Sequence, residues 1–97
     1  MQKRTIAVKQ KQSTAPKQNA QDVVSRVLSE SVLTISQARA ELGNISGDRP
    51  AKSTIIRWIS RGASGVRLEG CKVSRDWVTS TEALNRFIVA RTQRAMD

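Results

Sequence analysis

A short segment near the middle of the chain combines guanidinium and hydroxyl groups without any carboxylate. The segment "AKSTIIRWISRG" runs from Ala51 to Gly62. At 100° per residue, its apolar side chains gather on one side of a helix and its polar side chains on the other. The polar side presents Ser53, Thr54, Arg57, Ser60 and Arg61, with Lys52 at its flank. An arginine fork fits guanine O6 and N7, while hydroxyls bind phosphates or either base type. The pattern therefore indicates a helix that reads a polyanion through one face.

The competing interpretation is a solvated helix face with long basic side chains. Such faces usually mix glutamate with lysine, and this segment contains no acidic residue. The free amides of the helix N-terminus would also favour a phosphate there. We therefore favour groove reading, with Lys52 as a phosphate contact. Which of the other side chains touch bases stays open.

Two residue types that carry out common catalytic steps are missing from this chain. It has no histidine and no tyrosine, and no glycine-rich phosphate loop is present. The single Cys71 has no partner for an internal disulfide and no neighbouring metal ligands, so we expect a small packing residue in a reducing cytoplasm. We predict a protein that is not an enzyme and has no cofactor or metal.

The net charge gives the strongest compositional information about partners. The 97 residues hold 17 Lys and Arg against 8 Asp and Glu, a formal charge of +9. This balance favours nucleic acid or an anionic membrane surface over plain solubility. No apolar run reaches the ~20 residues of a membrane span, so we expect no membrane. The length suits a single domain.

The first part of the chain differs in composition from the rest. Residues 1–21 contain five Lys and Arg and no acid, which predicts a flexible basic arm. The arm could follow phosphates or a minor groove, or remain a solvated tail. Its apolar island Ile6–Val8 is too short for a signal peptide. Residues 22–31 have helical spacing of valines and leucine, which predicts a short helix or linker.

Two helices are predicted from residue 32 onward. Thr34 precedes Gln37 by three residues, as in a capping box, and predicts a helix over 35–42 that stops at Gly43. A polar loop over 43–50 follows. Pro50 fits the first turn of the second helix, which we predict over 51–61 with its end at Gly62. Its apolar side, with Ala51, Ile55, Trp58 and Ile59, is expected to face the core.

A change of pattern after residue 65 predicts a β-hairpin and a last helix. The strands are expected at roughly 67–73 and 77–79, around the turn 74–76. Thr79 stands three residues before Glu82, which predicts a second capping box. The helix that follows should turn Leu84, Phe87 and Ile88 inward and pair Glu82 with Arg86.

The hairpin tip would carry further contacts to a polyanion. Arg75 lies at the tip, and Lys72 and Arg67 are close to it in sequence. For each of them, an ordinary exposed residue is an equal alternative. Trp58 and Trp77 could stack on bases, but their place in the apolar pattern favours packing in the core.

The order helix, loop, helix, hairpin, helix predicts a mainly α fold with a small β-hairpin, arranged as a winged helix-turn-helix over residues 32–94. Residues 95–97 would form a tail. In this arrangement the hairpin covers the open side of the helix pair and extends its tip as a wing.

The runs "LTISQARAELG", "STIIRWISRG" and "VRLEGCKVSRDWVTSTEALNRFI" resemble those of excisionase-like and MerR-like winged helix-turn-helix proteins. They are most similar to a small bacterial family of uncharacterised proteins with the run "STL.RW…G..G.RLE". The resemblance covers about residues 32–90. It implies DNA binding through Ser53, Thr54, Arg57 and Arg61, with Arg75 at the wing. Two features differ: the loop 43–50 is longer than the usual tight turn, and the wing turn lacks glycines.

The resulting hypothesis is a non-catalytic, sequence-specific binder of double-stranded DNA. It would act as an excisionase-like architectural factor or a small transcriptional regulator, in the cytoplasm at the nucleoid, without a small-molecule effector. A recombinase or a second copy of the chain could be a further partner. The alternative is a protein-interaction adaptor with only weak, non-specific nucleic-acid binding. An RNA-binding role is disfavoured because no exposed aromatic platform is evident.

Overall fold

Four helices and a three-stranded antiparallel sheet make up residues 19–97, the part of the chain that the computed structural model describes. The elements are α1 (Ala20–Leu28), β1 (Val32–Thr34), α2 (Ile35–Ser46), α3 (Lys52–Ser60), β2 (Cys71–Val73), β3 (Asp76–Ser80) and α4 (Thr81–Met96). The mainly helical class with a small hairpin is confirmed. The expected basic arm lies outside the described residues, except for its last three, of which Asn19 caps α1 and Ala20 and Gln21 belong to it. The expected tail is shorter, because α4 continues to Met96.

The first helix of the predicted pair begins as expected and ends later. The Thr34 hydroxyl accepts from the Gln37 amide, and the Gln37 side chain accepts from the Thr34 amide, so the capping box is confirmed. The predicted stop at Gly43 is wrong. The left-handed residue that ends α2 is Gly47, with φ of 86°. The connector to α3 is therefore the short run 47–51 rather than 43–50.

The second helix has the predicted extent within one residue at each end. Pro50 does not occupy its first turn, because Ala51 is the N-cap and the helix begins at Lys52. Gly62 follows the C-cap with φ of 92°, and its amide donates to the Arg57 carbonyl at 3.0 Å. A Cβ at this glycine would lie 2.7 Å from the Val66 carbonyl oxygen. The predicted glycine stop is thus confirmed.

The sheet has the strand order β1-β3-β2, and both pairings are antiparallel. The hairpin pairs Cys71 with Val78 and Val73 with Asp76, so its strands are 71–73 and 76–80 rather than 67–73 and 77–79. Residues before 71 leave the sheet because the Leu68 amide donates to the Trp58 carbonyl at 3.0 Å. β1 was not predicted from the sequence. It pairs with β3 and attaches the hairpin to the start of α2.

The start of α4 is capped by a different residue from the one predicted. Thr79 is fully buried and its hydroxyl donates to the Glu69 carbonyl at 2.7 Å, so it cannot serve as the N-cap. Ser80 caps instead, with its hydroxyl accepting from the Ala83 amide at 2.8 Å. The carboxylate of Glu82 accepts from the amide and hydroxyl of Ser31. The second capping box is therefore wrong.

One hydrophobic core joins the three helices after β1. Its buried residues are Ile35, Ala38, Ile55, Ile59, Leu68, Ala83, Leu84 and Phe87. Both tryptophans are partly buried and pack against this cluster, which confirms their predicted place in the core. The ring centroids of Trp58 and Phe87 lie 5.0 Å apart.

Two residues that were predicted to face the core do not do so. Ala51 is exposed at the N-cap of α3, and Ile88 keeps 37% of its surface exposed. Cys71 is a buried packing residue, as expected.

An ion-pair network attaches α1 to the rest of the fold. Arg86 on α4 binds Glu30 at 2.7 Å and Glu69 at 2.6 Å, and Glu69 also pairs with Arg26 on α1. The predicted Glu82–Arg86 pair is wrong because Arg86 turns toward these two carboxylates. Its hydrogen bonds hold the pKa of Glu30 below its usual value.

Candidate nucleic-acid interface

The polar side of α3 faces solvent along its whole length. Ser53, Arg57, Ser60 and Arg61 are exposed, and Thr54 is partly exposed. The helix holds this face outward because Ile55 is fully buried and Ile59 is 7% exposed on the opposite side. The predicted separation of the two faces is therefore confirmed. One hydroxyl is partly engaged, since Ser60 Oγ lies 3.5 Å from the Arg57 carbonyl oxygen in the same helix.

The first turn of α3 keeps its amides without a side-chain cap. Ala51 carries no hydroxyl, amide or carboxylate group, so no side-chain hydrogen bond closes this end. Lys52 is exposed at this turn. An N-terminus with free amides and no acidic residue in its first turn favours an anion. This end therefore adds to the electrostatic character of the α3 face.

The corner before α3 is held by a long-range hydrogen bond. Arg39 on α2 donates from Nε to the carbonyl of Pro50 at 2.7 Å. Because Pro50 directly precedes the N-cap of α3, this bond fixes where the helix starts relative to α2. The direction in which the α3 face points is thus set by α2 as well as by the core.

Two of the predicted contacts lie on the hairpin. Arg75 is exposed in the two-residue loop between β2 and β3, where Ser74 adopts a φ of 60°. Lys72 is exposed on β2, and its ammonium lies 5.8 Å from the centroid of the Trp77 ring. The third, Arg67, is not at the tip: its guanidinium donates to the Ser60 carbonyl at the end of α3. Arg67 therefore supports the helix end.

The cations of residues 19–97 separate into paired and unpaired sets. Arg26 and Arg86 form ion pairs with Glu30 and Glu69 beside α1. The cations of the α3 face and the hairpin form no ion pair with any described carboxylate; they are Lys52, Arg57, Arg61, Lys72 and Arg75. Between Asp48 and Glu69 the sequence contains no acid at all. Positive charge is therefore left uncompensated along the exposed face of α3, whereas the hairpin also carries the exposed carboxylate of Asp76.

The sequence pattern did not single out two arginines on α4 that contact α3 or the turn after it. Arg91 on α4 lies over the rings of Trp58 and Phe87, with 5.9 and 5.6 Å from its guanidinium carbon to the ring centroids. Arg94, one turn later, lies against Gly65 in the turn after α3. Their spacing of three residues, in a helix with no acid between Glu82 and Asp97, was the available signal.

Other kinds of site find little support in the described part of the chain. Within residues 19–97, no group of three or more Cys, Asp or Glu side chains could hold a metal ion. None of the helices in that region has the length and apolar character that crossing a membrane requires. Burial raises the pKa of the Cys71 thiol.

Comparison with known proteins identifies a family but no function. Residues 40–93 match the family described as "Protein of unknown function (DUF1580)", which covers more than half of the chain. The chain belongs to that family. No curated protein and no solved structure matches it. The matched region contains α3, the hairpin and most of α4, and therefore most of the candidate interface.

Proposed function

We propose that this chain is a non-catalytic, sequence-specific double-stranded DNA-binding protein of the winged helix-turn-helix type. In this proposal α3 enters the major groove and the β2–β3 loop lies on the backbone. An excisionase-like architectural factor or a small transcriptional regulator, acting at the nucleoid, fits this description. The observation that carries the proposal is the exposed, carboxylate-free face of α3 with its two unpaired guanidinium groups, Arg57 and Arg61.

The arrangement around α3 supports this use of its face. Helices α2 and α3 pack together across the short connector 47–51, as in a helix-turn-helix. The connector is closer to the usual tight turn than the loop 43–50 expected from the sequence. The hairpin leads away from the end of α3 and is attached through β1 to the start of α2. A rigid base of this kind would let α3 dock as a unit.

The roles proposed for individual residues follow from their chemistry and position. Arg57, near the centre of the exposed face, is the best placed to hold a guanine edge through a fork. Ser53, Lys52 and the free amides at the N-terminus of α3 suit a phosphate. Arg75 would reach the backbone from the hairpin loop.

The alternative proposal is an adaptor that binds a protein partner, such as a recombinase or a second copy of the chain. The observation that favours it is exposed apolar surface on α4, where Val89 is 58% and Met96 is 76% exposed. An adaptor of this kind would bind DNA weakly and without sequence preference.

Selection of bound sequences from a random duplex pool tests the DNA proposal. The expected result is a recurring sequence motif among the selected duplexes. For roughly five phosphate contacts, log K should fall against log salt concentration with a slope of about −4 to −5. Equal binding to all duplexes removes the claim of specificity. In that case the adaptor proposal is favoured, provided that substitution of Val89 and Met96 by serine abolishes a partner contact and leaves duplex binding unchanged.

A further inference from the structure

The turn that follows α3 places a hydroxyl and two backbone amides beside the end of α4. Ala63 and Val66 exchange two backbone hydrogen bonds, at 2.7 and 3.0 Å, around the tip residues Ser64 and Gly65. Both tip residues have positive φ, 54° for Ser64 and 79° for Gly65. This closed turn holds the Ser64 side chain exposed near the C-terminal turns of α4.

Arg94 lies directly on this turn. A Cβ added to Gly65 would be only 3.1 to 3.3 Å from the Arg94 guanidinium, so the guanidinium occupies the space where a side chain would be. The turn and α4 are thus fitted to each other by the absence of a side chain at Gly65. The position of the Arg94 charge is set by tertiary contact as well as by its own helix.

Arg91 is positioned from the other side by aromatic rings. Its guanidinium lies over Trp58 and Phe87, and Trp58 is one turn before Arg61 on α3. A guanidinium held on ring faces keeps its edge N–H groups free for an acceptor. Since Trp58 belongs to α3, Arg91 is coupled to the helix that carries the candidate interface.

These groups converge on one surface cleft of about 340 Å³, which Ser64, Arg91, Arg94 and Ala95 line. No carboxylate lines it, and neither arginine forms an ion pair within residues 19–97. Two like charges held beside one opening repel each other unless an anion lies between them. An oxyanion with several acceptor atoms matches two guanidinium groups and a hydroxyl.

We propose that Arg91, Arg94 and Ser64 form a phosphate subsite beside α3, which receives the backbone of the bound duplex outside the stretch read by α3. This inference rests on the proposed function. The subsite would add affinity without adding sequence preference, because phosphate contacts carry no base information. It extends the footprint of the protein from α3 onto α4.

Salt-dependent duplex binding tests the subsite. The variant R91Q/R94Q should lower the magnitude of the slope of log K against log salt by about 1 to 2, with equal weakening for all sequences and an unchanged preference. The variant R91K/R94K should keep most of the slope. As a matched control, Q21E/S25E changes the net charge by the same amount on the exposed side of α1 and should alter the slope less.

Titration with inorganic phosphate separates failure of the subsite from failure of the proposed function. Saturable shifts of the Ser64 and Gly65 amide resonances are expected in the wild type and should disappear in R91Q/R94Q. Absence of these shifts together with an unchanged slope overturns the subsite, even if the wild type binds DNA. If the wild type binds no duplex, the DNA proposal fails, and loss of the amide shifts in R91Q/R94Q would still support a phosphate site.

Thermal unfolding of R94Q alone checks a competing role of Arg94, as a cation that stabilises the C-terminus of α4. That role would change the stability of the protein but not the slope of log K against log salt.

Discussion

The guanidinium of Arg86 donates to both carboxylate oxygens of Glu30, which lies 56 residues earlier in the chain, at 2.7 and 3.0 Å. Ser80 also donates its hydroxyl to Glu30, at 2.7 Å, while its oxygen caps α4. Glu30 therefore joins the segment after α1 to the start of α4 and to its second turn. Glu30 thus neutralises Arg86, whereas the cations of α3 form no ion pair within residues 19–97.

Replacing Glu30 by glutamine should lower the free energy of unfolding by about 1–2 kcal/mol. The substitution keeps the size of the side chain and removes the charge that accepts the paired bonds from Arg86. This loss lies in the lower part of the range for hydrogen bonds to charged groups, because the Arg86 side chain is 41% exposed and keeps Glu69 as a partner. Urea denaturation followed by circular dichroism measures the change.

The control for this prediction is Glu41→Gln on α2. Glu41 is exposed and forms no ion pair within residues 19–97, so its loss should change the free energy of unfolding by less than about 0.5 kcal/mol. Equal effects of the two substitutions would show that the network around Glu30 contributes nothing specific.

The carboxylate of Glu30 should make the free energy of unfolding depend on pH in the acidic range. Its pKa in the folded state is lowered, mainly by the hydrogen bond from Arg86, relative to 4.5 in the unfolded chain. Between these two values the unfolded state binds more protons, so stability rises with pH there. The contribution is complete above 4.5 and is lost as pH falls through the folded pKa. Denaturation from pH 6 to pH 3 should show a shallower decline for E30Q than for the wild type; parallel curves would contradict the assignment.

Local sequence signals predicted the parts of the fold that depend on neighbouring residues. The capping box of Thr34 and Gln37, the two faces of α3 and the glycine stop at Gly62 all involve residues a few positions apart. Each is governed by the residue preferences of helix ends or by helical periodicity, and both can be read from residue types and their spacing. The exposed face of α3 was predicted for the same reason.

Features that depend on distant residues were missed or wrongly assigned. Thr79 and Ser80 both precede the α4 helix, and only the burial of Thr79 against Glu69 decides that Ser80 is the cap. The strand β1 has three residues, too few for an alternating pattern, and it exists because β3 pairs with it. The positions of Arg91 and Arg94 likewise depend on rings and a turn that are far away in sequence.

Two glycines offer a paired test of where backbone freedom is required. Gly62→Ala should lower the free energy of unfolding by about 1–3 kcal/mol, because φ is 92° and the new Cβ would approach the Val66 carbonyl oxygen to 2.7 Å. Gly43→Ala lies inside α2, where alanine is favoured by about 0.5–1 kcal/mol, but its Cβ would approach the Arg49 Cγ to 2.8 Å, so the Arg49 side chain has to shift. Thermal unfolding of both variants should therefore show a clearly smaller loss of stability for Gly43→Ala than for Gly62→Ala. A loss of stability in Gly43→Ala as large as that in Gly62→Ala would argue against the assigned end of α2.

Cys71 should react slowly in the folded protein. Its side chain is buried, 4% of the residue is exposed, and burial raises the pKa of the thiol, so little thiolate is present near neutral pH. Alkylation with iodoacetamide at pH 8, followed by mass spectrometry, should be at least tenfold slower in buffer than in 8 M urea, as an order of magnitude for a buried thiol. Equal rates in the two solutions would mean that the β2 region opens readily.

Arg57 gives the sharpest test of the proposed DNA interface. Because it is exposed and forms no ion pair within residues 19–97, Arg57→Ala should leave the free energy of unfolding within about 0.5 kcal/mol of the wild type. If it holds a guanine, affinity for the selected site should fall by about 1–3 kcal/mol and the preference at one base pair should relax. Arg75→Ala, at the hairpin loop, should instead weaken binding to all sequences and reduce the salt slope by about 1. Competition titrations of both variants against the selected duplex and its single-base mutants measure these effects. A uniform loss for Arg57→Ala would make it a phosphate contact, and no loss for either variant would remove α3 and the hairpin from the interface.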